Sequence, residues 1–324
     1  MEIKTQCPHC LGRYLVDDDM LGESIRCVRC EKAFEVKEYL PPAPPQRAKL
    51  RLKAAVDVVV RGGADAAEKR VPHLGLELAA IPPGSFRQGA EGGYLSERPV
   101  RTVHLTYPFW MSRCLITQAQ FREVMARNPS YFEGDDLPVE SVTWQEALEF
   151  CRRLTEIERV AKRISPSLHF RLPTEAEWEY ACRAGLRPAA EGQEEPAELR
   201  AFWRGDPEAL KAYAWFDLDS EETPHPVGTL KPNPWGLYDL LGNVAEWCMD
   251  WYGPYPEGEV TDPKGPEAGR RKVRRGGGWA SVARRCRAAD RIGVAPATAS
   301  GLIGFRVVAV RIGEPPFSYN YHVW

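Results

Sequence analysis

Histidine and methionine are scarce in this chain, six and five among 324 residues, and long apolar runs are missing. The longest apolar stretch, Ala54 to Val60, is broken by Asp57. It falls well short of the ~18 residues a bilayer span needs, which excludes a transmembrane helix. Met1 to Lys4 runs into cysteines instead of an apolar leader, so a cytoplasmic location is expected. Excess charge is lacking too: 43 basic against 45 acidic residues, formally -2, leave no bulk basic field for nucleic acid. What is present, 44% hydrophobic and 27% charged residues, is a soluble globular composition long enough for roughly two domains.

Cysteine is where chemistry first shows. Four of the nine form Cys7-Pro8-His9-Cys10 and Cys27-Val28-Arg29-Cys30, two CxxC pairs sixteen residues apart. Four thiolates at the ends of two turns are what a tetrahedral zinc ion requires. A segment of under about forty residues buries too little apolar surface to fold alone, so the metal would supply much of its stability. A redox CxxC competes with this reading, but it comes singly and beside a βαβ unit. Cys114, Cys151, Cys182, Cys248 and Cys286 show no paired spacing and read as buried thiols.

Pro41-Pro42-Ala43-Pro44-Pro45 is a stiff spacer that marks a domain boundary. The expected division is a ribbon over 1–38, a Pro-rich linker over 39–73 and a larger domain over 74–324. In that domain short strand-like runs surround three helical patterns. One covers Thr117 to Ala126 with a capping-box spacing. A second covers Thr143 to Lys162 with Ala147, Leu148, Cys151, Leu154 and Ile157 on its apolar stripe. A third begins at Pro173-Thr174-Glu175. Beyond Gly185 the chain is loop-rich and holds most of the ten tryptophans, so an irregular α+β fold is expected.

Cys7 to Val36 resembles the short bacterial zinc-ribbon family, which implies a structural metal and no catalysis. The ribbon is the one place where a nucleic-acid contact stays open. From Phe170 to Ala181, around Leu172-Pro173-Thr174-Glu175-Ala176-Glu177-Trp178, the chain resembles the formylglycine-generating-enzyme, or sulfatase-modifying-factor, family. Further matches follow in order at Ser96 to Val100, Pro138 to Trp144, Trp235 to Asp239, Gly242 to Trp247, Gly276 to Trp279 and Gly304 to Arg306. The resemblance implies a variant of the C-type lectin fold, which carries diverse functions.

The family's oxidases hold copper between two cysteines after a Gly-Gly-Ser turn. Here those positions fall on Ser281 and Cys286, and one thiolate with a hard hydroxyl does not suit Cu(I). Iron-dependent relatives use a histidine triad largely from an added domain, and the six histidines here have no i, i+4 pair. By resemblance calcium would be held by the side chains of Asp239 and Glu246 and the carbonyls of Gly242 and Val244. The alternative is that both carboxylates only hydrogen-bond the loop. The family's other calcium site is not supported, because Tyr213-Ala214-Trp215-Phe216 stands where asparagine is expected.

Residues 280–303 contain no Lys, Glu, Gln, Met or Trp, types that make up about one residue in five of the chain. These are the types that replacing adenines in AAC or AAT codons does not produce. The segment resembles the diversified region of variable proteins of diversity-generating retroelements, which display ligand-binding residues on a lectin-type fold. An Arg- and Ala-rich loop from a GC-rich gene would give a similar composition. The resemblance marks Ala280, Ser281, Val282, Asp290, Ile292, Gly293, Val294, Ala295, Thr298, Gly301 and Leu302 as candidate variable positions. Trp279 would be a fixed anchor, and Cys286, Arg287, Arg291 and Arg306 the framework. The expected function is non-catalytic binding of a protein or other macromolecular ligand through residues 280–302. The alternative is a metal-dependent oxidoreductase of sulfatase-modifying type, using copper or non-haem iron.

Overall fold

A computed structural model divides the chain into two compact units, Met1–Arg51 and Leu52–Trp324. It describes residues 2–6, 13–17, 24–26, 32–35, 68–186, 198, 200–217 and 219–311. In the first unit β1 (Glu2–Gln6) pairs antiparallel with β2 (Arg13–Asp17), and β3 (Ser24–Arg26) with β4 (Ala33–Glu35). Each CxxC therefore falls in the stretch joining two paired strands. The four cysteines, the Pro-rich spacer and the aromatic tail with Tyr319, Tyr321 and Trp324 lie outside the described residues.

The second unit starts earlier than its sequence suggests. Glu68–Val71, within the stretch read as linker, is strand β5 and pairs with β6 (Leu76–Ile81). β7 (Gly84–Gln88), β8 (Arg101–Leu105) and β9 (Phe109–Ser112) follow, then helices α1 (Gln118–Met125) and α2 (Trp144–Val160), then β10 (Leu168–Arg171) and helix α3 (Glu175–Arg183). Among the described residues no strand lies between α3 and β11 (Ala245–Trp251), after which come β12 (Val260–Thr261), β13 (Lys272–Arg275), β14 (Arg291–Val294), β15 (Ile303–Gly304) and β16 (Val308–Arg311). The five-stranded sheet runs β10-β16-β9-β6-β5, so the last strand closes against the first ones. A four-stranded sheet runs β14-β13-β11-β15, and a three-stranded one β12-β8-β7. This is the mixed, curled-sheet α+β architecture of the lectin-type fold.

Thr117, Thr143 and Thr174 each cap a helix with a complete capping box, so the starts of these helices follow from local chemistry. α2 then buries Ala147, Phe150, Cys151 and Leu154 against the sheet. α3 departs from what its sequence suggests: it carries three glutamates, yet every residue from Glu175 to Arg183 is buried. Each glutamate meets arginine. Glu177 pairs with Arg171 at 2.6 Å, Glu179 with Arg183 at 2.5 Å and also with Arg275, and Glu175 with Arg291 at 2.6 Å. Such pairs add less stability than their Coulomb attraction suggests, because both ions lose water, but breaking one strands a buried charge.

Candidate ligand-binding surface

The segment after β13 is anchored at its base. Trp279 is only 5% exposed; its indole nitrogen donates to the Gly301 carbonyl at 2.9 Å, and its ring meets Phe132 edge-on at 5.6 Å. The Ser220 hydroxyl donates to the Trp279 carbonyl at 2.7 Å. Trp279 therefore ties the beginning of the segment to its end and is a structural pin, with little surface left for a ligand.

The middle of the segment is buried. Arg287 grips Glu97 with two hydrogen bonds of 2.9 and 2.6 Å, and Arg285 pairs with Asp290 at 3.0 Å. Arg291 grips Glu175 and also donates to the carbonyls of Ser96 and Gly253, at 3.1 and 2.8 Å. Arg275 donates to the Asp290 carbonyl at 2.6 Å. Burial pushes the Asp290 carboxyl above its ordinary range, with Arg285 opposing the shift. Asp290 thus lies 3% exposed inside an ion-pair network and is not displayed.

Two flanks reach solvent. Ala280 and Ser281 are half-buried and Val282 is 48% exposed. The Ser281 hydroxyl accepts from the Gly278 N–H at 3.0 Å and its carbonyl from the Asp217 N–H, so this side chain also closes a turn. On the other flank Ile292, Gly293 and Val294 are half-buried, Ala295, Ala297 and Ala299 exposed, and Thr298, Gly301 and Leu302 half-buried. The two glycines differ. A Cβ on Gly293 would lie 2.5 Å from the Tyr252 ring, whereas one on Gly301 would meet nothing closer than 3.6 Å. Gly301 has room for a side chain and Gly293 has none unless Tyr252 moves. Sequence reasoning missed Tyr94, Leu95, Tyr252 and Arg271, which border Ile292 and Gly293 in a shared depression. They come from other loops, and only the Arg270-Arg271 pair gave any signal.

The metal expectations meet their geometry here. Cys286 is fully buried and burial pushes its thiol well above the usual range, so it stays protonated. Cys151, Cys182 and Cys248 are likewise buried thiols, and Cys114 is half-buried. The described histidines stand apart. His73 pairs with Glu158 at 2.9 Å, and His104 bonds Ser85 at 2.7 Å. His225 stacks on Trp215 at 3.7 Å, and His169 is buried and lowered to about 4. Of the calcium set, Glu246 accepts from Arg306 at 2.7 and 2.8 Å and from the Trp178 indole at 2.8 Å. Asp239 accepts from the Gly228 N–H at 2.7 Å and from Asn243 at 3.4 Å. Both carboxylates are engaged by partners within the chain, and Trp178, Glu246 and Arg306 bind three of the recognised motifs into one knot. Among the described residues no group of three or more His, Cys, Asp or Glu side chains could hold a metal.

Curled sheets, three capped helices and a pinned C-terminal loop define a protein with the C-type lectin fold of formylglycine-generating enzymes. The chain belongs to the sulfatase-modifying factor enzyme 1-like domain family, whose profile matches residues 64–311. A chaperone protein LppX of Paenibacillus barcinonensis is 31% identical over 204 residues, 53% of this chain and 70% of that protein. A formylglycine-generating enzyme of Streptomyces coelicolor is 34% identical over 210 residues, 61% of this chain and 60% of that enzyme. The chain therefore spans less than two thirds of that enzyme. Among solved structures, Treponema denticola variable protein 1 superimposes with a TM-score of 0.64 at 28% identity, covering 75% of this chain and 99% of that one. No helix among the described residues is long and apolar enough to cross a membrane.

Proposed function

We propose that the second unit is a ligand-binding module without turnover, which meets a protein through the exposed positions of residues 280–302. What carries this reading is the likeness to Treponema denticola variable protein 1 over nearly that protein's whole length, joined to a segment free of Lys, Glu, Gln, Met and Trp. The geometry divides the candidates: Ala280, Val282, Ile292, Val294, Ala295, Thr298, Gly301 and Leu302 keep some exposure, while Asp290 and Gly293 are held by packing. Sequencing the 3′ end of the gene and its flanking DNA across a population tests the reading. Variation confined to codons 280–302, and matched to adenines in a nearby near-copy, is the expected result. An invariant segment with no near-copy would overturn the diversified part.

Identity to formylglycine-generating enzymes favours a second reading, a metal-dependent oxidoreductase of sulfatase-modifying type. It requires substrate-dependent oxygen uptake by copper- or iron-loaded protein. Ser281→Cys, if it creates copper binding with Cys286, would show that the two-cysteine geometry survives. For the first unit we propose structural zinc on Cys7, Cys10, Cys27 and Cys30, supported by the spacing and by the paired strands that flank each CxxC. Metal analysis of the full chain should give one zinc, lost in Cys7→Ser and Cys27→Ser. Calcium at Asp239 and Glu246 would require Arg306 to release Glu246, and a calcium titration by calorimetry tests that exchange.

A further inference from the structure

Beside the second exposed flank, a depression of 440 Å³ is lined by Tyr94, Leu95, Tyr252, Arg271, Arg285 and Ile292 among others. Its charge is not balanced. Arg291, which also borders it, is neutralised by Glu175, and Arg285 by Asp290. Arg271 is exposed and, among the described residues, no carboxylate pairs with it; the same holds for exposed Arg284, whose guanidinium lies 5.6 Å from the Tyr94 ring. Arg285 is held in place by stacking on Tyr94 at 3.9 Å while 35% of its side chain stays exposed. The Tyr94 hydroxyl is buried and makes no hydrogen bond among the described residues.

We infer that this depression receives a carboxylate from an acidic segment of a protein partner, held by Arg271 and Arg285. The inference rests on the binding function proposed above and names the chemistry of its ligand. Guanidinium groups are the side chains best suited to grip carboxylates. Leu95, 85% exposed, and half-buried Ile292 form an apolar rim that a peptide can cover with a neighbouring apolar side chain and a nucleic-acid backbone cannot. None of Tyr94, Tyr252, Arg271 and Arg285 is a candidate variable position. The preference for acid therefore persists whatever side chains occupy the exposed flank, giving a constant anchor beside a changeable surface.

Fluorescence anisotropy on the full chain, with a labelled (Glu-Leu)4 peptide and its (Gln-Leu)4 counterpart, tests this. The acidic peptide should bind about tenfold tighter, and Arg271→Glu should abolish that preference. Lys211→Glu, which changes net charge equally at an exposed position outside the depression, should leave it intact. Equal binding of the two peptides, equal losses from both variants, or stronger competition by inorganic phosphate or a DNA duplex than by free acidic peptide would overturn the inference. The two readings fail separately. A protein ligand sensitive to Ala297 and Thr298 substitutions but indifferent to Arg271→Glu sinks the acidic anchor and keeps the display surface. An Arg271-dependent preference for acidic peptide, with no protein ligand sensitive to those positions, supports the anchor and sinks the display.

Discussion

Cys286 to Arg291 and Ala295 to Leu302 are separated by three residues, and both contain alanines. Every residue of the first stretch is buried, and none of the second is. The difference comes from partners brought by other parts of the chain. Glu97 precedes β8 and Glu175 opens α3, and they draw Arg287 and Arg291 inward. The second stretch has no charged side chain to form an ion pair and is held by backbone contacts: Trp144 N–H to the Pro296 carbonyl and Ser141 N–H to that of Ser300, both at 3.0 Å. A segment fixed through its backbone can change its side chains at little cost, whereas one fixed through its arginines cannot.

The sharpest way to break the contrast is to remove an arginine from the buried stretch. Arg291→Ala leaves Glu175 without its bidentate partner, and urea unfolding should show a loss of about 3–5 kcal/mol. Next comes the pair of glycines. Gly293→Val must displace the Tyr252 ring and should lower stability by about 1–3 kcal/mol, whereas Gly301→Val should stay within about 0.5 kcal/mol. Equal effects at the two positions would remove the distinction between a packed and an open glycine.

A pH-dependent effect is expected beneath the same network. Asp250 is buried beside Glu175, and its carboxyl is pushed up to about 7 by burial and then by the Glu175 and Glu177 charges, with Lys272 opposing. A carboxyl raised in the fold binds its proton more readily there than in the unfolded chain. Its contribution to stability therefore falls as pH rises from about 4 to about 7. Asp250→Asn keeps an acceptor for the Glu175 N–H, 2.8 Å from the carboxylate in the wild type. It should stabilise the protein by about 1 kcal/mol or more at pH 8, with a gain that vanishes near pH 4; a gain independent of pH would show that Asp250 is not the titrating group. The smallest effect belongs to the exposed flank: Ala297→Asp and Thr298→Val should each change the unfolding free energy by no more than about 0.5 kcal/mol.

Much of the fold could be read from residues alone. Thr117, Thr143 and Thr174 start their helices where capping chemistry puts them, and the ordered motifs indicated the lectin-type fold. The burial of α3 could not be read, because Glu175, Glu177 and Glu179 can be buried only once their arginines arrive from β10, β13, β14 and the helix itself. The candidate surface was legible as a compositional gap, which says where side chains are small but not which of them face water. Tyr94 and Arg271 were missed because they are far from that gap in the chain and share no pattern with it.

Sequence by itself determined the local events: helix starts, the strand-and-loop character of the second half, the CxxC spacing and the hydroxyl at Ser281 that takes the place of a thiolate. These depend on residues within a few positions of one another, where capping and side-chain chemistry act directly. Only the tertiary structure decided which parts of residues 280–302 are displayed, that Trp279 is a pin, that Glu246 answers to Arg306, and that a basic depression borders the exposed flank. Each of those rests on a charge or ring supplied from a distant part of the chain, and burial of an ion is settled only when its partner is in place.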